Sequence, residues 1–411
     1  MLVVAGDVGE AANSQWFVRG LERRTGAVAW EDRHGPMTFG LAKDVAVDGD
    51  RAFVAGWTRT AGLGFQFVVR AYEAGSGAVL WSREIGAGPQ CLEEVPRFAR
   101  CVAKAVAVQD GRVFVVGHLT RTAQRADFAV LAFDAATGAP LWESVTDPTG
   151  TGANDYAWAV RVSGRHVFVV GEYADFGGLI VQAHDARTGA IRWQQREPGA
   201  GNSTLKDTLA AAREGVFVAG FDASFRFFVK AYDAETGAPR WEDHLEGLGQ
   251  ATALALSGSD ARDGGADEGS GPRIIATGVV GCDPATFLDC ELGLRAYDAQ
   301  QGLVWQVADV ARGGDWYMGN VTAAGGRLYV DGSELLEDGL YHPTVRAYRA
   351  NDGGFEWNAL FDDGTGHDPF GSGFTGFTNG VFARGGRLHV AGDVNRADGN
   401  FDFLVRTYRA R

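Results

Sequence analysis

The sequence predicts an all-β chain folded as an eight-bladed β-propeller of four-stranded antiparallel blades, with a seven-bladed wheel as the alternative. Three observations predict it. An eleven-residue segment ending in Trp recurs along the whole chain, and short apolar runs ending in Gly recur between its copies. The composition, 59 Gly in 411 residues against 11 Pro and 3 Met, suits many short strands joined by tight turns. Aromatic residues are 11% and hydrophobic residues 45%, enough for a packed core, which excludes intrinsic disorder. A single unit of this length is best built as a repeat array.

The Trp segment is clearest as AFDAATGAPLW (Ala132–Trp142), AHDARTGAIRW (Ala183–Trp193) and AYDAETGAPRW (Ala231–Trp241). Weaker copies end at Trp30, Trp81 and Trp357, a copy one residue shorter ends at Trp305, and a partial copy is Thr407–Arg411. Successive Trp positions are 48 to 64 residues apart, a propeller-blade period. Each Asp opens a turn, where its carboxylate can accept from backbone N–H groups two or three residues on, and the Gly supplies a left-handed conformation. The Trp then begins the outermost strand, D, and can lie across a neighbouring blade, worth roughly 2–4 kcal/mol per buried indole. Trp30, Trp81, Trp142, Trp193, Trp241, Trp305 and Trp357 are therefore expected to be docking residues, structural and not catalytic.

Two further patterns complete a blade. Strand B is the run ending in Gly, as in FVAG (Phe53–Gly56), FVVG (Phe114–Gly117) and FVVG (Phe168–Gly171). Strand A precedes it and is rich in Ala and Val, as in KAVAVQDG (Lys104–Gly111), because innermost strands crowd together. Strand C leads into the Asp turn. B and C are apolar on both faces, as in sheets sandwiched between others. B and C occur eight times, A and D seven, so the simplest count is eight blades, the first lacking A and the last lacking D. One domain over 1–411 is expected, with blades at about 1–35, 36–86, 87–147, 148–198, 199–247, 248–309, 310–362 and 363–411. The missing first strand is expected to reflect a natural start upstream of this numbering.

The pattern A-x-D-x-x-T-G-x-x-x-W resembles the tryptophan-docking repeat of the quinoprotein-type, PQQ-like β-propellers, and the likeness covers nearly the whole chain. It implies the propeller fold, but no single activity. The family includes pyrroloquinoline-quinone (PQQ) alcohol dehydrogenases as well as non-catalytic members, among them the propeller lipoprotein of the outer-membrane barrel-assembly machine. This chain is closest in character to the non-catalytic members. The family's enzymes carry a ring formed by two adjacent cysteines beside PQQ, a carboxylate and an Asn on Ca²⁺, and an Asp base. Here no two cysteines are adjacent, and none of those residues transfers to a position of this sequence.

Cys91 and Cys101 bracket one loop and Cys282 and Cys290 another, with no C-x-x-C and no companion His. Two local disulfides are expected, not a metal site. Paired loop cysteines point to an oxidising compartment: secreted, periplasmic or cell surface, although no export signal is present in this numbering. No run of about 18 apolar residues offers a membrane span. A net charge of −14 disfavours a nucleic-acid partner.

The face carrying the cysteine loops also carries acids. Asp44, Asp155, Asp207 and Asp315 stand at or just before successive A strands, and Asp7, Glu172, Asp222, Glu334 and Asp393 open the loops after strand B. Trp57, Tyr156, Trp158, Trp316 and Tyr317 accompany them. This is the candidate face for a cation, with Ca²⁺ the candidate ion, or for a basic partner. The competing reading is that these acids cap turns and keep the surface soluble. Ser257–Pro272 is expected to be a solvated loop and His367–Phe377 a lid over the channel mouth. The expected function is an extracytoplasmic, non-catalytic scaffold binding a protein or small-molecule ligand on the acidic face. The alternative is a PQQ- and Ca²⁺-dependent quinoprotein-like dehydrogenase.

Overall fold

A computed structural model describes the chain except for residues 9–14, 35–38, 61–63, 87–90, 92–100, 121–124, 202–206, 214, 258–272, 284–289, 310–315, 318, 362–375, 396–400 and 410–411. The expected loop at 257–272 and lid at 367–377 lie almost wholly outside the described residues. No α-helix occurs among the described residues. Eight antiparallel sheets follow one another along the chain, which sets aside the seven-bladed alternative: the fold is an eight-bladed β-propeller. The chain divides into two compact units, Met1–Gly199 with blades 1 to 4 and Ala200–Arg411 with blades 5 to 8.

In the first unit, blade 1 has strands B, C and D (Leu2–Val8, Gln15–Leu21, Val28–Arg33), and blades 2 to 4 have four strands each. Blade 2 begins with A at Phe39–Asp48. Blade 3 runs Val102–Gln109, Arg112–Leu119, Asp127–Asp134 and Pro140–Thr146. Blade 4 runs Tyr156–Ser163, His166–Tyr173, Gly178–Asp185 and Ile191–Pro198. Strands B and C of these two blades are buried almost throughout, whereas D is largely solvated. Phe114, Val130, Val160, Val169 and Ile180 form part of the apolar layer between blades 3 and 4.

In the second unit, blades 5 and 6 are four-stranded, with A at Leu209–Ala211 and Leu248–Ser257. Strand A of blade 7 comes in two pieces, Trp316–Tyr317 and Val321–Ala324, both paired with B at Arg327–Leu335. Blade 8 shows A, B and C at Gly376–Arg384, Arg387–Asn395 and Phe401–Arg409.

The Asp turns form as their residues dictate. Asp134 Oδ1 accepts from the N–H groups of Ala136 (3.0 Å) and Thr137 (2.8 Å) and from the Thr137 hydroxyl (2.8 Å), and Gly138 takes φ 68°. Asp185 and Asp233 repeat this pattern, and the Arg240 guanidinium holds the Asp233 carboxyl down at about 2. The glycine has a second reason to be there. A Cβ on Gly138 would stand 2.6 Å from the Trp81 indole, and one on Gly189 would stand 2.6 Å from that of Trp142. The indole of one blade thus lies on the turn glycine of the next. Its Nε1 donates to the Ala carbonyl after the turn acid: Trp30 to Ala74 (3.0 Å), Trp81 to Ala135 (3.1 Å), Trp142 to Ala186 (3.1 Å) and Trp241 to Ala299 (3.3 Å). Trp305, in the shortened copy, reaches Gly353, but its buried Nε1 has no partner. Cys91–Cys101 and Cys282–Cys290 are disulfides.

Candidate functional site

The site begins with an irregularity that the innermost strands share. In blades 2, 3, 4, 6 and 8, strand A carries one extra residue against B: Lys43, Lys104, Trp158, Thr252 and Asn379. Each bulge lies beside the glycine that ends the apolar run of B. A Cβ on Gly171 would fall 1.9 Å from the Tyr156 carbonyl oxygen, and one on Gly117 would fall 2.0 Å from that of Val102. The recurring Gly is therefore the residue that lets a bulged neighbour approach. A bulge re-aims a side chain off the regular alternation, and in the first unit this brings two such residues together. Lys104 Nζ of blade 3 sits 4.6 Å above the ring of Trp158 of blade 4, a cation–π contact.

Trp158 extends into an aromatic stack. Its ring lies 5.4 Å from Tyr156 at 24°, Tyr156 lies 5.4 Å from Phe176 at 21°, and His118 meets Tyr156 edge-on at 5.0 Å. Trp158 and Tyr156 are buried; Phe176 is half exposed. Acids flank the stack. Trp158 Nε1 donates to Glu172 Oε2 at 3.1 Å, and Asp155 Oδ1 accepts from the Ala174 N–H at 2.9 Å. Asn154 completes the clamp: its carbonyl accepts from the Asp175 N–H (2.9 Å), and its Nδ2 donates to Asp175 Oδ1 (2.6 Å).

The clamped loop is strained. Ala174, Asp175 and Phe176 take φ of 52°, 55° and 69°, three consecutive non-glycine residues in left-handed backbone. Such conformations cost about 1–2 kcal/mol each and persist only where surroundings enforce them. Asp155 and Tyr156 are also unusual, because Asp155 Oδ2 and the Tyr156 hydroxyl are buried without a partner. Burial pushes the Asp155 carboxyl up to about 7; the Ala174 N–H opposes this, while Asp147, Asp127 and Asp175 add to it. Burial, then the carboxylates of Asp175, Asp155 and Glu172, hold the Tyr156 hydroxyl well above its usual range.

The other residues singled out in the sequence fall elsewhere. Asp44 lies within strand A of blade 2, and its carboxylate accepts from the Val106 N–H of blade 3 at 2.9 Å, a link between sheets. Asp207 belongs to the second unit, where it raises the proton affinity of Asp331, a fully buried carboxyl that burial pushes to about 7. Asp315 lies outside the described residues, and Trp316 opens the short first piece of strand A in blade 7. Several loop acids are neutralised internally. Asp222 pairs with Arg226 (2.7 Å) and His244 (2.9 Å), and Glu334 pairs with Arg346 (2.8 Å). Sequence reasoning missed Lys104 and Phe176, because residue type announces neither a bulge nor a left-handed run.

Among the described residues, no donor set for a PQQ–Ca²⁺ centre is assembled. Both cysteine pairs are spent on local loops, and among the described residues no three His, Cys, Asp or Glu side chains stand together as metal donors. No helix among the described residues is long and apolar enough to cross a membrane.

The fold and the Trp repeat define a PQQ-like repeat β-propeller. The family model described as outer membrane protein assembly factor BamB matches residues 65–275, just over half of the chain, and the chain belongs to that family. No curated protein sequence matches the chain. Among solved structures, the quinohemoprotein alcohol dehydrogenase ADHIIG of Pseudomonas putida is similar at 15% identity and TM-score 0.54, over 95% of this chain and 69% of that one. A europium-containing methanol dehydrogenase aligns at 13% identity and TM-score 0.49, over 91% and 80%. Apo AztD of Citrobacter koseri aligns at 10% identity and TM-score 0.46, over 100% and 95%. At these identities the likeness concerns the fold.

Proposed function

We propose that this protein is a non-catalytic binding scaffold that works in an oxidising, extracytoplasmic compartment and engages a protein ligand through the loops between strands B and C. The observation that carries this reading is the stack Phe176–Tyr156–Trp158–Lys104, set among Asp155, Glu172 and Asp175 and ending in a half-exposed ring. Aromatic faces beside charged groups are the usual anchors of binding surfaces. The two disulfides support the compartment, since such bonds persist where thiols are not kept reduced. A dye-linked dehydrogenase assay after incubation with PQQ and Ca²⁺ is expected to be silent. Turnover of a primary alcohol would replace the scaffold reading with an oxidoreductase.

A further inference from the structure

Two polar groups of blade 4, adjacent in the chain, are buried without a hydrogen-bond partner: Asp155 Oδ2 and the Tyr156 hydroxyl, in residues 0% and 3% exposed. Buried groups of this kind call for an explanation, and a missing partner is one. The surroundings say what its charge is. Carboxylates of Asp147, Asp127 and Asp175 act on Asp155, and those of Asp175, Asp155 and Glu172 act on Tyr156, so a cation would relieve both. The cover over Tyr156 is the Phe176 ring, carried on the left-handed run that Asp155 itself clamps. Moving that run aside would release its backbone strain and uncover the Tyr156 ring.

The geometry points to a binding site for an arginine side chain of a partner protein. Its guanidinium would donate to Asp155 Oδ2 and the Tyr156 hydroxyl oxygen while its flat face stacks on Phe176. A guanidinium offers several in-plane donors and an aromatic-compatible face, which a hydrated metal ion does not. Among the described residues, moreover, no three donor side chains are grouped for a metal. This inference rests on the scaffold reading and names its occupant. The cation competes with a proton for Asp155, so binding weakens as pH falls. The groups facing this pair are Asp127, Asp147, Asp175 and Glu172, with His118 at the edge of Tyr156 and Lys104 beyond Trp158.

The test titrates acetyl-Gly-Arg-Gly-amide, and its citrulline counterpart, into the full chain labelled with 5-fluorotryptophan. The Trp158 resonance is assigned from Trp158→Phe. The expected result is a saturable shift of that resonance with the arginine peptide alone, weakened about tenfold in Asp155→Asn, the effect of losing a charged partner worth about 1.4 kcal/mol. Affinity should rise from pH 6 to pH 8 in the parent protein but not in Asp155→Asn, which separates Asp155 from His118. Tyr156→Phe, which keeps the stack, should also bind more weakly and covers the case in which Asp155→Asn fails to fold. A Trp158 resonance unmoved by millimolar arginine peptide, or moved equally by the citrulline peptide, overturns the assignment. Alcohol turnover in the same preparation would instead sink the scaffold reading, so the two failures are told apart.

Discussion

Strand C of blade 4 (Gly178–Asp185) has two very different ends. At its C-terminal end, Asp185 Oδ1 accepts from the N–H groups of Arg187 (3.1 Å) and Thr188 (2.9 Å) and from the Thr188 hydroxyl (2.9 Å). The positive φ there falls on Gly189, and Trp142 lies over that glycine and bonds Ala186. At the N-terminal end, three side-chain-bearing residues hold positive φ, and two buried polar atoms go unpaired. The first end recurs blade after blade because sheet stacking demands it. Among the described residues the three-residue left-handed run does not recur, and its strain is not needed for stacking. Local conflict that stacking does not explain is where a protein keeps its function.

The largest effect expected is at the repeating end. Trp142→Ala should cost about 3–5 kcal/mol, read by denaturant unfolding, since it empties a docking position and orphans the Ala186 carbonyl. Trp305→Ala should cost less by about 1 kcal/mol, because the Trp305 Nε1 has no bond to lose. Equal losses would mean that the indole–carbonyl bond is incidental to docking.

Next comes the bulge. Gly171→Ala places a methyl 1.9 Å from the Tyr156 carbonyl oxygen, a backbone atom that cannot rotate away. A loss of about 1–3 kcal/mol is expected, with a shifted Trp158 resonance because the bulge moves. Gly380, in strand A of blade 8, has nothing within 4 Å of where an added methyl group would stand, so Gly380→Ala should be nearly neutral.

These two positions also mark what the sequence could and could not tell. The fold was legible because each blade repeats the same turn chemistry: Asp134, Gly138 and Trp142 stand at offsets that only one local geometry satisfies. Within the site, Asp155, Tyr156 and Trp158 could be picked out as acids and aromatics at the start of a strand. Lys104 could not, because a bulge changes which way a side chain points without changing its residue type. Phe176 could not either, since nothing in the string YADFG announces three consecutive left-handed residues. Asp44 reads like Asp155 in sequence, yet a neighbouring backbone N–H takes up its carboxylate.

A smaller effect separates two buried acids by pH. Asp155 and Asp331 are both pushed to about 7, above the range near 4 expected of an unfolded chain. A raised folded-state value favours the protonated form. Their contribution to stability is therefore full below about pH 4 and is lost as pH climbs to about 7. Asp155→Asn should flatten the part of that slope belonging to the first unit. Asp331 accepts from Asn320, its Oδ1 at 3.1 Å from Nδ2, so Asp331→Asn should in addition disturb that pairing and destabilise at every pH. Parallel stability–pH curves for Asp155→Asn and the parent protein would contradict the buried, half-protonated carboxyl.

The smallest effect, at Ala174, belongs to the sharpest comparison of the two ends, which makes opposite exchanges at two left-handed positions. Gly189→Ala adds a methyl 2.6 Å from the Trp142 ring at φ 76°, and should destabilise by about 1–3 kcal/mol. Ala174→Gly removes a methyl at φ 52°, relieving about 1–2 kcal/mol of left-handed strain while giving back about 0.5–1 kcal/mol in unfolded-chain entropy. A net gain near 0.5 kcal/mol should appear as a higher denaturation midpoint. The same substitution should weaken arginine-peptide binding about twofold, because a closed loop that is no longer strained has less to gain by opening. If stability rises and affinity does not fall, the strain is a by-product of the turn and does not drive the opening of Phe176.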